Sequence, residues 1–303
     1  MTSPAENSQL QDLGEEEVVR RLVAKLPQGA HVLVGPGDDC AVADFGGDDL
    51  VLLKTDAVVE GVHFLAKTEA ERVGWKAAAR VVSDFAAMGG EPSELLVTIA
   101  AEGSVAMAWV EGLYRGIARC AEQFGASVVG GETVSLPSGS ATLVSLSGTG
   151  RVGRNQFVVR SQGQADDGLW VTGRLGGSFE SGRHLDFVPR VAEGKWLAAH
   201  AHAMMDLSDG LRRDLPRLAR ASGCGFLLEE ECLPCHENCT IEQALGDGED
   251  MELLLSAPEG EWVSDFRKAF PTVELTRIGS LTLKGESDLG EGGWQHFQQK
   301  EQG

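Results

Sequence analysis

The stretch LVLLKTD, residues 50–56, is followed by a long amphipathic run at 69–88, and together they set the fold class. The first is an apolar run of strand length that ends on Thr55-Asp56. The second puts Val73, Ala77, Val81, Phe85 and Met88 on one helical face, and Gly89-Gly90 stops it. The same alternation extends outward. Upstream, 15–26 has apolar residues at helical spacing, behind a polar tail at 1–13. Downstream, a strand at 95–100 precedes a helix at 106–124 that Gly125 closes. Ser127–Val129 then leads into Gly130-Gly131-Glu132-Thr133 and a strand around Leu143. After Gly150 the pattern starts afresh, with strands at 169–172, 204–206 and 251–256 and a helix at 210–221. Such alternation predicts an α/β or α+β class, with an N-terminal domain at 14–150 and a C-terminal one at 151–303.

The chain has 303 residues and a net charge of −20, which disfavours nucleic acid and anionic membranes as partners. No basic, apolar leader opens it and no run reads as a membrane span, so the cytoplasm is the expected compartment. Cys232, Cys235, His236 and Cys239 share one short loop. Covalent haem would need an exported chain, and structural zinc usually draws on two separated ligand pairs, so reduced thiols are the simpler reading. Nucleophile elbows, zinc-protease helices and Walker A loops are absent from the sequence, and Asp206-x-Ser208-Asp209-Gly210 fails as an EF-hand because its glycine comes early.

What remains is a set of acids at strand ends or beside glycines: Asp38-Asp39, Asp56, Asp84, Glu132, Asp206 with Asp209, and Glu249-Asp250. Each has a plain explanation alone. Asp38 or Asp39 suits an Asx turn, Asp84 suits a helical pair with Arg80, and Ser208 or Asp209 suits an N-cap. Brought together, they would repel one another unless hard divalent cations intervened. Mg²⁺ is bound by carboxylates together with phosphate oxygens, so the set points to a Mg²⁺–phosphate site.

The segments GPGDDCA (35–41), KTDAVVEGVHF (54–64), SDFAAMGGEP (83–92), VGGET (129–133), MDLSDGL (205–211) and GDGEDMEL (246–253) resemble, in order, the thiamine-monophosphate kinase family. That family lies in the aminoimidazole ribonucleotide synthetase superfamily. The resemblance spans about residues 12–298. It implies an N-terminal domain that dimerises through its sheet, a C-terminal α/β domain, and transfer of the ATP γ-phosphoryl group to thiamine monophosphate with several Mg²⁺ ions. By position it assigns metals to Asp39, Thr55, Asp56, Asp84, Glu132, Asp206 and Asp209. It assigns ATP contacts to Gly130, Gly131, Arg160, Ser208 and, near a nucleotide-contacting helix, Tyr114. His63, Glu249 and Trp294 fall at thiamine-contacting positions. The resemblance also separates the adjacent pair, with Asp39 reaching metal and Asp38 either capping the turn or standing behind the metal ligands.

Three positions depart from the family pattern. Lys54 stands where a small hydroxyl residue is common, Glu132 replaces Asp, and Val81 replaces a frequent Asn. Among other superfamily members, selenophosphate synthetase would need a reactive Cys–Lys segment near the start, and the hydrogenase-maturation dehydratase a terminal Cys; neither is present. A non-catalytic nucleotide sensor finds support only in Lys54 and Glu132.

Overall fold

The protein, as a computed structural model, is described for residues 9–285 and 288–297. Residues 1–8 of the polar tail and the closing QQKEQG lie outside that range, and the tail's last residues form a short helix. In chain order the first part comprises α1 (Leu10–Leu13), α2 (Glu15–Val23), β1 (Val32–Val34), β2 (Ala41–Ala43), β3 (Asp49–Val59), α3 (Ala70–Ala87), β4 (Glu91–Glu102), α4 (Met107–Phe124), β5 (Ser127–Leu136) and β6 (Leu143–Gly153). The second comprises β7 (Gly168–Thr172), α5 (Ser178–Ser181), α6 (Val191–Leu197), β8 (Ala203–Asp206), α7 (Leu211–Ala221), β9 (Gly225–Leu228), α8 (Ile241–Gly246), β10 (Leu253–Ala257), α9 (Trp262–Ala269) and β11 (Leu275–Thr282).

Strands β1 to β6 form one sheet in the order β1-β2-β3-β6-β4-β5. Only β4 and β5, joined across α4, run parallel; the other neighbours are antiparallel. The second sheet, β8-β10-β7-β11-β9, is antiparallel throughout. The class is therefore mixed, with far less parallel pairing than strand–helix alternation suggests.

Strand β3 is longer than its apolar run. Its ladder with β6 continues from Asp49 opposite Gly153 to Val59 opposite Leu143. Thr55 and Asp56 therefore lie inside the strand and not at its end. Residues Leu50, Leu52 and Val58 face inward and are buried, so Lys54 and Asp56 share their face. Thr55 points to the opposite, open face, where Ser147 donates to its hydroxyl at 3.0 Å.

Helix α3 is the spine. The predicted face of Val73, Ala77, Val81, Phe85 and Met88 is buried against the first sheet. The helix is also covered elsewhere, because α4, α6 and β8 all pack on it. Lys76 is consequently fully buried, and Asp84 is only 5% exposed. Glycine makes the α3–α4 approach possible. A Cβ on Gly74 would lie 1.9 Å from the Leu113 carbonyl oxygen, and one on Gly116 would lie 1.9 Å from that of Glu71. No described helix is long and apolar enough to cross a membrane.

Gly116→Ala tests this crossing. The clash with backbone costs about 3 kcal/mol, against about 1 kcal/mol gained in helix propensity. The urea midpoint should fall by the equivalent of about 2 kcal/mol; an unchanged or higher midpoint would show that the helices can separate freely.

Candidate active site

The carboxylates of Asp39, Asp84 and Asp206 converge, each offering an oxygen within 4.8 Å of the others. They come from the β1–β2 turn, from α3 and from the end of β8, so both sheets contribute. Each is nearly buried. Asp39 Oδ1 accepts from Arg160 at 2.5 Å, while its Oδ2 is buried without a partner. Asp84 Oδ1 accepts from Lys54 Nζ at 2.6 Å. Asp206 Oδ2 accepts from the Ser83 hydroxyl at 2.6 Å. Burial and then the nearby Asp39 charge raise the Asp206 carboxyl to about 6. Burial raises Asp84 well above its ordinary range, despite the Lys54 ammonium that works against it. Three converging acids, with one buried oxygen left unpaired, suit a hard divalent cation such as Mg²⁺. Among the described residues this is the one such group; the Cys232, Cys235, His236 and Cys239 loop forms none.

Asp38 does not join them. Its carboxylate accepts the backbone N–H groups of Asp39 at 3.0 Å and Arg160 at 3.1 Å, and thereby fixes the turn. Burial, then repulsion from Asp39, raises it to about 6.

A second cluster lies along the same helix. Lys76, Arg80 and Asp84 recur every four residues and so share one face of α3. Arg80 does not pair with Asp84. It reaches Asp56 at 2.8 Å and Glu249 at 3.1 Å. Burial alone would raise Asp56, but Arg80 and Lys54 outweigh it and lower its carboxyl. Lys76 Nζ lies 2.8 Å from Glu249 and donates to the His63 carbonyl at 2.7 Å. Burial lowers the Lys76 ammonium to about 8, with Glu249 opposing the shift.

Glu249 is held from its own side too. It adopts a left-handed backbone, φ 54°, and its N–H donates to the Ser208 carbonyl at 2.8 Å. The Trp294 N–H donates to the Asp209 carbonyl at 2.9 Å. The loops at 206–210 and 246–251 and the C-terminal segment are thus tied by main-chain bonds. His63, His296 and Trp294 form a row of rings with centroid separations of 6.0 and 5.9 Å. His63 and Glu249, joined through Lys76, therefore meet Trp294 through His296.

Several predicted site residues are not members of the three-acid group. Thr55 is on the open face of the first sheet. Glu132 sits on β5, an edge strand exposed along nearly its whole length, and its carboxylate accepts its neighbour's N–H at 3.0 Å. Gly130 and Gly131 share that strand, where a Cβ on Gly131 would lie 1.9 Å from the Val97 carbonyl oxygen on β4. Asp209 is bound by Arg217 at 2.5 Å, across the first turns of α7. Ser208 contributes its carbonyl to the Glu249 bond. Tyr114 packs against the first hydrophobic core. Lys76, Arg80 and His296 are the participants that the sequence reading had not placed here. The i, i+4, i+8 recurrence of charge on a helix with a strong apolar face was the available signal for the first two.

The AIR synthase related protein N-terminal domain matches residues 37–152, and its C-terminal domain matches 142–290. Thiamine-monophosphate kinase from Rhodopirellula baltica is 36% identical over 88% of this chain and 89% of its own length. The Aquifex aeolicus enzyme is 33% identical over 86% and 92%. The chain belongs to the thiamine-monophosphate kinase family. A solved family member, AaThiL complexed with AMPPCP and TMP, superposes with a TM-score of 0.83 at 30% identity, covering 96% of this chain and 99% of that one. That family member thus shares the two-sheet architecture described above.

His63 offers a direct check on the second cluster. Burial, then the Arg80 charge, lowers it to about 4, and its Nδ1 accepts the Val59 N–H at 3.1 Å. The proton therefore resides on Nε2 at neutral pH. The unfolded chain takes up a proton first as pH falls, so this group's contribution to stability is present above about 6.5 and is lost as pH drops toward about 4. In a ¹⁵N-resolved titration the His63 ring should stay neutral at pH 5.5; a midpoint near 6.5 would contradict its enclosure.

Proposed function

We propose that this chain transfers the γ-phosphoryl group of ATP to the phosphate of thiamine monophosphate, giving thiamine diphosphate and ADP. The observation that carries the reading is that one face of α3 joins the converging acids, through Asp84, to the aromatic and acidic cluster, through Lys76 and Arg80. Phosphates and an organic cation can therefore be held side by side.

An acceptor phosphate oxygen forms the new bond to the γ-phosphorus as the β–γ bridging P–O bond breaks, with the electron pair leaving on ADP. Such transfers are catalysed mainly by alignment and charge neutralisation. Asp39, Asp84 and Asp206 are the residues that would hold Mg²⁺, which supplies charge neutralisation between the two phosphate groups. Arg160, on Asp39, adds a fixed positive charge beside them. Trp294, 38% exposed, offers a π-face to the thiazolium cation. His63, kept neutral, places no like charge against that cation, and Lys76 with Arg80 holds Glu249 in position.

The resemblance extends Mg²⁺ binding to Thr55, Asp56, Glu132 and Asp209, and ATP contacts to Gly130, Gly131, Ser208 and Tyr114. None of these belongs to the three-acid group, and Asp56 and Asp209 already carry arginine partners. A homodimer is part of the same reading. Leu53, Leu96, Val128, Val129 and Val134 are exposed on β3, β4 and β5, a surface that pairing through the first sheet would cover. We place the division between the two domains near residue 151, and the enzyme in the cytoplasm.

A coupled assay with ATP, Mg²⁺ and thiamine monophosphate should yield thiamine diphosphate and ADP, and no product at micromolar enzyme would refute the activity. Asp84→Asn should lower turnover by several orders of magnitude with the fold retained, as judged by circular dichroism. Near-wild-type turnover would remove Asp84 from the metal set.

A further inference from the structure

Lys54 carries a charge into the place where the acids converge. It lies on the inward face of β3, its side chain is 24% exposed, and its Nζ is 2.6 Å from Asp84 Oδ1. A lysine ammonium is ordinarily charged near neutrality, and this one sits directly against the Asp84 carboxylate. The surroundings hold four acids, Asp39, Asp56, Asp84 and Asp206, and three side-chain cations, Lys54, Arg80 and Arg160. Arg80 is committed to Asp56 and Glu249, and Arg160 to Asp39. Lys54 alone bears on an oxygen of Asp84, one of the three carboxylates that converge. The unpaired Asp39 Oδ2 remains open for an ion, whereas Asp84 Oδ1 is already satisfied.

We propose that Lys54 is a built-in cation that takes the place of a further divalent ion at Asp84 Oδ1, leaving the other Asp84 oxygen to the ion proposed for Asp39, Asp84 and Asp206, so that this chain loads fewer or weaker divalent ions than its acids would otherwise hold. An ammonium and a metal cannot share one carboxylate lone pair, and a unit charge at this distance strongly disfavours a second cation. The fixed charge neutralises part of the site without depending on the free metal concentration. The inference rests on the proposed kinase reading only for the site being one that binds divalent ions.

The test is a Mn²⁺ titration of the full chain without nucleotide, with free Mn²⁺ read by electron paramagnetic resonance. Lys54→Ser should bind one more Mn²⁺ per chain, or bind Mn²⁺ about tenfold more tightly, while Lys54→Arg, which keeps the charge, should behave as wild type. Circular dichroism monitors the fold, and Lys54→Gln replaces the serine variant if that does not fold. Wild-type-like Mn²⁺ binding by the uncharged variants would overturn the proposal, as would a Lys54→Arg curve matching that of Lys54→Ser. A wild-type chain that fails to phosphorylate thiamine monophosphate would refute the kinase reading and leave the Mn²⁺ comparison decisive for Lys54.

Discussion

A charged group on a helix enclosed on every side must find a partner within the protein, and α3 carries Lys76, Arg80 and Asp84 in that position. Removing one member of a buried pair costs about 3–5 kcal/mol, because the other charge is left stranded. The partners lie on different elements: Lys54 and Asp56 on β3, and Glu249 on the loop before β10. Satisfying α3 therefore fixes the first sheet, the helix and the second sheet relative to one another. Hydrophobic packing supplies most of the driving force for burying the helix, but the charges dictate its orientation.

The same pairing shapes the chemistry. Asp39 meets Arg160, Asp56 meets Arg80, Asp84 meets Lys54 and Asp209 meets Arg217. A chain of net charge −20 thus gathers acids without leaving them all uncompensated. Asp206 differs in having only a serine hydroxyl, and Asp39 in keeping one oxygen free. On the proposed reading, those two exceptions are where the cluster would receive a cation.

Much of the fold was legible because it follows from periodicity. The apolar face of α3, its glycine stop and the strands at β4, β7 and β8 need only local information. The length of β3 was not, because polar Lys54 and Asp56 occupy inward positions that an apolar-run criterion reads as the strand's end. Alternation then explains Thr55, which a strand must turn away from its neighbours' face. Glu132, read as an acid beside two glycines, sits within the exposed edge strand β5, because two small residues are compatible with an extended strand as well as with a turn. Asp39, Asp84 and Asp206 are far apart in sequence and share no local signal. The family resemblance linked them, whereas Lys76 and His296 carry roles visible only once the chain is folded.

The close crossing at Gly74 and Gly116 leaves α3 and α4 in backbone contact, with no side-chain layer that could yield between them. A helix seated in this way serves as a ruler. Lys76 marks its aromatic end and Asp84 its acidic end, eight residues or about 12 Å apart along the axis. Discrimination at such a site concerns length as much as chemistry. On the proposed assignment of the two ends, a ligand would be accepted when the reach from its ring to its phosphate matches that interval.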